Sequence, residues 1–194
     1  MSLVNMLYNF QLMKFAGEDG VAAYGVIMYT NFIFISIFVG YSIGTAPIIG
    51  YHYGANNTSE LKNMRKKSLT LIAIAGVVLT ALAEALAYPL SKLFVSYDTQ
   101  LFDITVRAFM IYSVSYAVMG FNIFGSSFFT ALNNGAVSAC ISFLRTLLFQ
   151  IVAVMLLPVF LGIDGIWLAI TAAELLSLAV TIAFFFKMQK RYQY

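Results

Sequence analysis

Between Gly20 and Pro47 the chain runs for 26 residues, 21–46, without a single charged side chain. About 20 helical residues, at roughly 1.5 Å each, already cross a ~30 Å hydrocarbon core. A run of this length and apolarity therefore restricts the chain to membrane-embedded architectures. Lipid offers no partner to a backbone N–H or C=O, so runs this long read as helices, which satisfy those groups internally. Similar runs recur, and the spacing predicts helices at about 2–16, 21–46, 68–90, 103–132, 137–160 and 164–186. Hydrophobic residues make up 61% of the chain and charged ones 10%, against roughly 45–50% and ~25% in soluble domains. The expected fold is all-α, a polytopic six-helix transmembrane bundle without a soluble domain.

The helix over 21–46 is expected to kink or stop at Pro47, which lacks an amide hydrogen and biases Ala46 away from helical angles. Gly40 with Gly44, and Gly50 with Gly54, repeat a small-x-x-x-small spacing that lets helices approach closely in lipid. A phosphate-binding loop is the poorer reading, because no strand precedes these glycines and no Gly-Lys-Ser/Thr follows them. Lys62, Arg65, Lys66 and Lys67 come next, a cationic loop that the positive-inside rule assigns to the cytoplasm. Six spans then place Glu18, Asp19, Asp98, Asp103 and Asp164 outside and Lys187, Lys190 and Arg191 inside, with both termini cytoplasmic. The net charge of +3 thus reports orientation and not nucleic-acid binding. Cys140 and His52 are single residues of their kinds, which leaves no disulfide framework and no Cys/His metal cluster. No catalytic constellation stands out, and an enzyme is not expected.

Polar residues inside apolar helices are the candidate functional groups. Asn5 and Asn9 lie one turn apart in the short first helix, which is interrupted further by Gln11 and Lys14. That helix is too short to span comfortably, and its abrupt start reads as one half of something larger. Asn31 falls near the bilayer centre, with Tyr24 and Tyr29 nearer the outer side. Asn5, Asn9, Tyr24 and Asn31 are substrate-path candidates, with interhelical hydrogen bonding as the competing reading. The turn Gly17-Glu18-Asp19-Gly20 separates the first two helices, Glu84 lies near the outer interface, and Asn122 reads as a packing residue. Asp103 suits a helix N-terminus and can pair with Arg107 at i+4. Arg145 lies ~12 Å from the inner end of its helix and Glu174 ~15 Å from the outer end of the next. In a ~30 Å core those depths coincide to within a turn. Arg145 and Glu174 are expected to pair inside the membrane, as a structural clamp first and as ion- or proton-coupling groups second.

Pro47, Gly50, Tyr51, Gly54 and Ala55 form a P-x-x-G-Y-x-x-G-A pattern before the basic run. Arg145 precedes Pro158 in one helix, and Gly165-Ile166-Trp167-Leu168-Ala169 leads to Ala173-Glu174 in the next. Together these resemble the MATE (multidrug and toxic compound extrusion) transporters, over nearly the whole chain, with His52 where the family often has Asn. The likeness is to one lobe, helices seven to twelve of a twelve-helix protein. It implies an antiporter in the cell membrane that exports small organic cations in exchange for Na+ or H+, with no other cofactor, by alternating access. It also implies an N-terminal six-helix lobe as partner, and an architectural role for the five motif residues. Coupling carboxylates found in some members have no counterpart in the first or fourth helix here. Related alternatives are a flippase for lipid-linked oligosaccharides, a homodimer of two such lobes, or an isolated inactive half.

Overall fold

The computed structural model describes residues 3–194; Met1 and Ser2, and with them the start of the first expected helix, lie outside the described residues. The elements, in order, are α1 (Leu3–Gly54), α2 (Thr58–Val95), α3 (Thr99–Ser113), α4 (Tyr116–Ala131), α5 (Gly135–Phe143), a π-helical turn (Leu144–Leu148), α6 (Phe149–Leu161) and α7 (Ile163–Tyr192). No strand occurs among the described residues. Among the described residues four helical stretches are long and apolar enough to cross a membrane, and α3 with α4, bent by 48°, makes a fifth if the pair is one span.

Straight, the 52 residues of α1 would reach about 78 Å, far beyond a bilayer. Gly17 prevents this. Its φ of 61° and ψ of −148° break the helix, a conformation glycine adopts at little cost. The chain reverses there: the Tyr8 and Tyr24 rings stack at 5.2 Å, and the Tyr24 hydroxyl donates to Asn5 Oδ1 at 3.3 Å. Only Gly17 leaves helical geometry; Glu18, Asp19 and Gly20 already belong to the second limb. The described limb before Gly17, residues 3–16, covers about 21 Å by its rise, about two thirds of a ~30 Å hydrocarbon core.

Several helices outrun their expected ends. α1 continues through Pro47 to Gly54, and α2 through Pro89 to Val95. Side-chain hydroxyls gather near the first proline. Thr45 Oγ1 donates to the carbonyls of Tyr41 at 2.9 Å and Ser42 at 3.3 Å, and Ser127 Oγ donates to the Ser42 carbonyl at 3.1 Å. Such donors, with packing from neighbouring helices, are what let transmembrane helices tolerate proline. The expected stop at Pro47 is therefore displaced by seven residues. The real stop is Asn56, in the left-handed region at φ 54°. Asn57 N–H reaches the His52 carbonyl at 2.9 Å and Asn56 N–H the Tyr53 carbonyl at 3.1 Å, the bond pair of a Schellman cap. Asn57 then caps α2 by accepting from the Glu60 N–H at 3.2 Å.

The same device recurs at the end of α4. Asn133 has φ 58°, Asn134 N–H bonds the Phe129 carbonyl at 2.8 Å, and the Asn134 side chain caps α5 through the Val137 N–H at 3.3 Å. Each Asn-Asn pair thus ends one helix and starts the next.

α3 begins at Thr99, four residues before Asp103, because Asp98 supplies the cap through the Leu101 N–H at 3.0 Å. The break between α3 and α4 falls at residues 114–115, where the bonds from Ser115 to Tyr112 and from Ala117 to Val114 tighten the chain. Gly76 of α2 fits against the break: a Cβ there would lie 3.0 Å from the Ala117 carbonyl oxygen. α6 and α7 cross just as closely at Gly165, whose added Cβ would meet the Leu157 carbonyl at 2.5 Å. Ile166, Trp167, Ala169 and Ala173 are all buried beyond it.

Charge sorts along the bundle. The last turn of α7, the start of α2 and the end of α1 share one end, as the Arg65–Tyr194 and Tyr53–Tyr192 contacts record. Lys62, Arg65, Lys66, Lys67, Lys187, Lys190 and Arg191 lie there with Glu60 as the acid among them. At the opposite end Arg107 Nε donates to Asp164 Oδ1 at 2.9 Å. This replaces the expected partner Asp103, because the α6–α7 turn carries Asp164 across to α3.

Candidate functional site

The buried polar network begins with Glu174, whose side chain is 0% exposed. Its carboxylate takes Arg145 Nε at 2.8 Å on Oε1 and 3.0 Å on Oε2. Asn122 Nδ2 donates to Glu174 Oε2 at 2.7 Å and to the Glu174 backbone carbonyl at 2.9 Å. Thr181 Oγ1 in turn donates to Asn122 Oδ1 at 3.0 Å. Three helical segments thus converge on one carboxylate: α4 through Asn122, the π-turn through Arg145, and α7 through Glu174 and Thr181. Thr181 lies seven residues from Glu174, two helical turns along the same face. A charge in this apolar core persists only with a counter-charge and donors for its lone pairs, and the network supplies both.

Arg145 sits in the π-turn Leu144–Leu148. A π-turn adds a residue to the local helical repeat and so re-aims the side chains it contains. Here Arg145 is directed at α7, and its side chain remains 13% exposed. The exposed remainder opens on a cavity of about 180 Å³. Asn5, Tyr24 and Asn31 line that cavity together with Tyr8, Tyr112 and Gln150. Asn31 Oδ1 is buried there without a hydrogen-bond partner. Next to it, a more open depression of about 370 Å³ holds Asn9 with Asn5, Tyr24, Tyr29 and Phe32. The cavity thus gathers three of the four substrate-path candidates with Arg145, while Asn9 faces the neighbouring depression.

The five motif residues lie apart from this network, at the basic end. Gly50 packs near α4, where a Cβ would come within 3.5 Å of the Ala131 carbonyl. Tyr51 is 72% exposed, yet its carbonyl accepts from the Ala55 N–H at 2.9 Å in the helix cap. Pro47 and Gly54 lie within α1, Gly54 as its last residue. No group of three or more His, Cys, Asp or Glu side chains among the described residues could hold a metal ion.

From the sequence Asn122 reads as packing, and Thr181, Tyr8 and Tyr112 do not stand out. Asn122 carried a readable signal, since a lone amide in a small-residue helix marks a hydrogen bond across helices. Thr181 had the weaker signal of its two-turn spacing from Glu174.

A family model described as MatE matches residues 1–156. The chain is 31% identical over 80 residues to the probable multidrug resistance protein YoeA of Bacillus subtilis (strain 168), an alignment covering 41% of this chain and 17% of that protein. In structure it is similar to the MATE transporter VcmN of Vibrio cholerae in its bent form, with a TM-score of 0.89 and 20% identity over 98% of this chain and 43% of that one. A transporter of the MOP superfamily from Pyrococcus furiosus gives a TM-score of 0.89 and 18% identity, covering 100% of this chain and 44% of its own. The chain therefore spans less than half the length of the solved transporters it matches.

Proposed function

The chain belongs to the MatE family of membrane transporters, and from that premise we propose that it works as the C-terminal lobe of a secondary active antiporter in the cell membrane. A second, N-terminal six-helix lobe completes the transporter, and alternating access proceeds by rocking of the two lobes about the cleft between them. Small organic cations leave the cell in exchange for Na+ or H+, and both ends of this lobe face the cytoplasm, in keeping with the positive-inside rule.

The observation that carries this reading is the cavity of about 180 Å³ beside the Arg145–Glu174 pair. Its amide oxygens and phenol rings suit a weakly hydrated organic cation: Asn31 Oδ1 offers an unused acceptor, and the Tyr8–Tyr24 stack offers aromatic surface. Arg145 does not repel such cargo, because Glu174 neutralises it at 2.8 Å. For the same reason the flippase alternative is disfavoured: it calls for a strongly basic cavity, and Arg145, the deep cation among the described residues, is already paired. Glu174 serves as a clamp, with its oxygens taken by Arg145 and Asn122, and the coupling carboxylate belongs to the other lobe.

The test is ethidium efflux from cells producing the full polypeptide that contains this lobe. Asn31→Leu and Tyr24→Leu are expected to raise ethidium accumulation at unchanged protein level, and collapse of the coupling gradient to abolish efflux. Wild-type accumulation in both variants would remove the cavity from the substrate path.

A further inference from the structure

At the basic end two cavities open between the start of α2 and the last turns of α7. The more enclosed, about 460 Å³, is walled by Leu69, Phe121, Leu178, Ile182 and Phe186, with Arg65 and Gln189 also on its lining. The more open, about 500 Å³, shares Arg65, Leu69 and Gln189 and adds Lys62 and Lys66. The two therefore form one groove with an apolar inner part and a cationic mouth. From Leu178 to Gln189 it follows α7 for eleven residues, about 16 Å by the helical rise. That is half of a ~30 Å hydrocarbon core, the depth of one leaflet.

Among the described residues, none of the cations at the mouth is held by a carboxylate. Neither ion pair among the described residues involves Lys62, Arg65 or Lys66, and Glu60 holds Asn63 at 3.1 Å. Arg65 is nevertheless held in place, its guanidinium 4.9 Å from the centre of the Tyr194 ring, which packs edge-on against Phe128 and Phe185. An apolar slot one leaflet deep, opening on three unpaired cations, matches the shape and charge of an anionic phospholipid: an acyl chain inside and a headgroup phosphate at the mouth.

We propose that the α2–α7 groove is a binding site for an anionic phospholipid of the leaflet facing the basic end, with Arg65, Lys62 and Lys66 holding the phosphate. Thr181 stands on the groove lining and also donates to Asn122, so the lipid lies one hydrogen bond from the Arg145–Glu174 network. The site is separate from the substrate cavity and does not depend on the transport reading.

The full polypeptide, reconstituted in nanodiscs of equal phosphatidylglycerol and phosphatidylcholine, is released and examined by native mass spectrometry for retained lipid. Phosphatidylglycerol is expected to be retained over phosphatidylcholine. Arg65→Gln should weaken its retention about fivefold, the usual effect of one cation near a lipid phosphate. Arg65→Lys should keep most of it, and Lys67→Gln, which lines neither cavity, should change nothing. Ile182→Trp, which fills the slot and leaves every cation in place, should also weaken retention, with the size-exclusion profile confirming a folded protein. Equal retention of the two lipids, wild-type retention in Arg65→Gln, or undiminished retention in Ile182→Trp would each overturn the proposal. Displacement of the lipid by millimolar glycerol 1-phosphate would do so too, because the site would then be one for a soluble anion.

Discussion

Arg145–Glu174 and Arg107–Asp164 are the same chemical pair in opposite surroundings. The first joins a fully buried carboxylate to an arginine 13% exposed, and the second joins side chains 28% and 68% exposed. At the surface, water and salt screen the attraction and hydrate either partner left alone, so the pair contributes little. In the core most hydration is lost, so each charge depends on the other, and Glu174 depends on Asn122 as well. What differs is the consequence of losing one partner. The buried pair locks α4, the π-turn and α7 together, whereas the exposed pair only marks where the α6–α7 turn meets α3.

That contrast can be broken most forcefully at Arg145. Arg145→Met leaves the Glu174 carboxylate buried and uncompensated, and should destabilise the lobe by about 3–5 kcal/mol, read as a large loss of thermostability in detergent by size-exclusion chromatography. Next in size is Gly165→Ala, whose new Cβ would press on the Leu157 backbone; backbone cannot yield as a side chain can, so about 1–3 kcal/mol or more is expected on the same assay. Asn122→Leu removes one donor from Glu174 and the acceptor of Thr181, with an expected cost of about 1–3 kcal/mol. Wild-type stability for Asn122→Leu would mean that Arg145 alone satisfies Glu174.

The smallest effect belongs to the surface pair. Arg107→Gln or Asp164→Asn should leave the melting temperature within replicate scatter, and high salt should erase any residual difference. A loss comparable to that of Arg145→Met would collapse the contrast.

Much of this arrangement was legible in the sequence, because the bilayer imposes it. The lengths of the apolar runs give the helices, and the clustering of Lys and Arg gives the two ends. A simple count of helical rise puts Arg145 and Glu174 at one depth. What the sequence concealed depends on tertiary contacts. Pro47 reads as a stop, yet the helix continues through it, with Ser127 of α4 among the hydroxyl donors nearby. The break at 114–115 contains no proline or glycine, and its partner Gly76 lies far away in sequence on α2. Asp103 reads as the partner of Arg107 one turn away, but the fold brings Asp164 to it from 57 residues on. The π-turn at Leu144–Leu148 has no sequence mark at all, and it is what aims Arg145 at Glu174.

A double-mutant cycle on the full polypeptide separates a clamp from two neighbouring side chains: wild type, Arg145→Met, Glu174→Met and the pair together, compared by thermostability in one detergent. A buried clamp predicts that the double variant, with no charge left to bury, is more stable than either single variant, with a coupling above about 1 kcal/mol. Additive losses would mean that Arg145 and Glu174 are neighbours without a shared role.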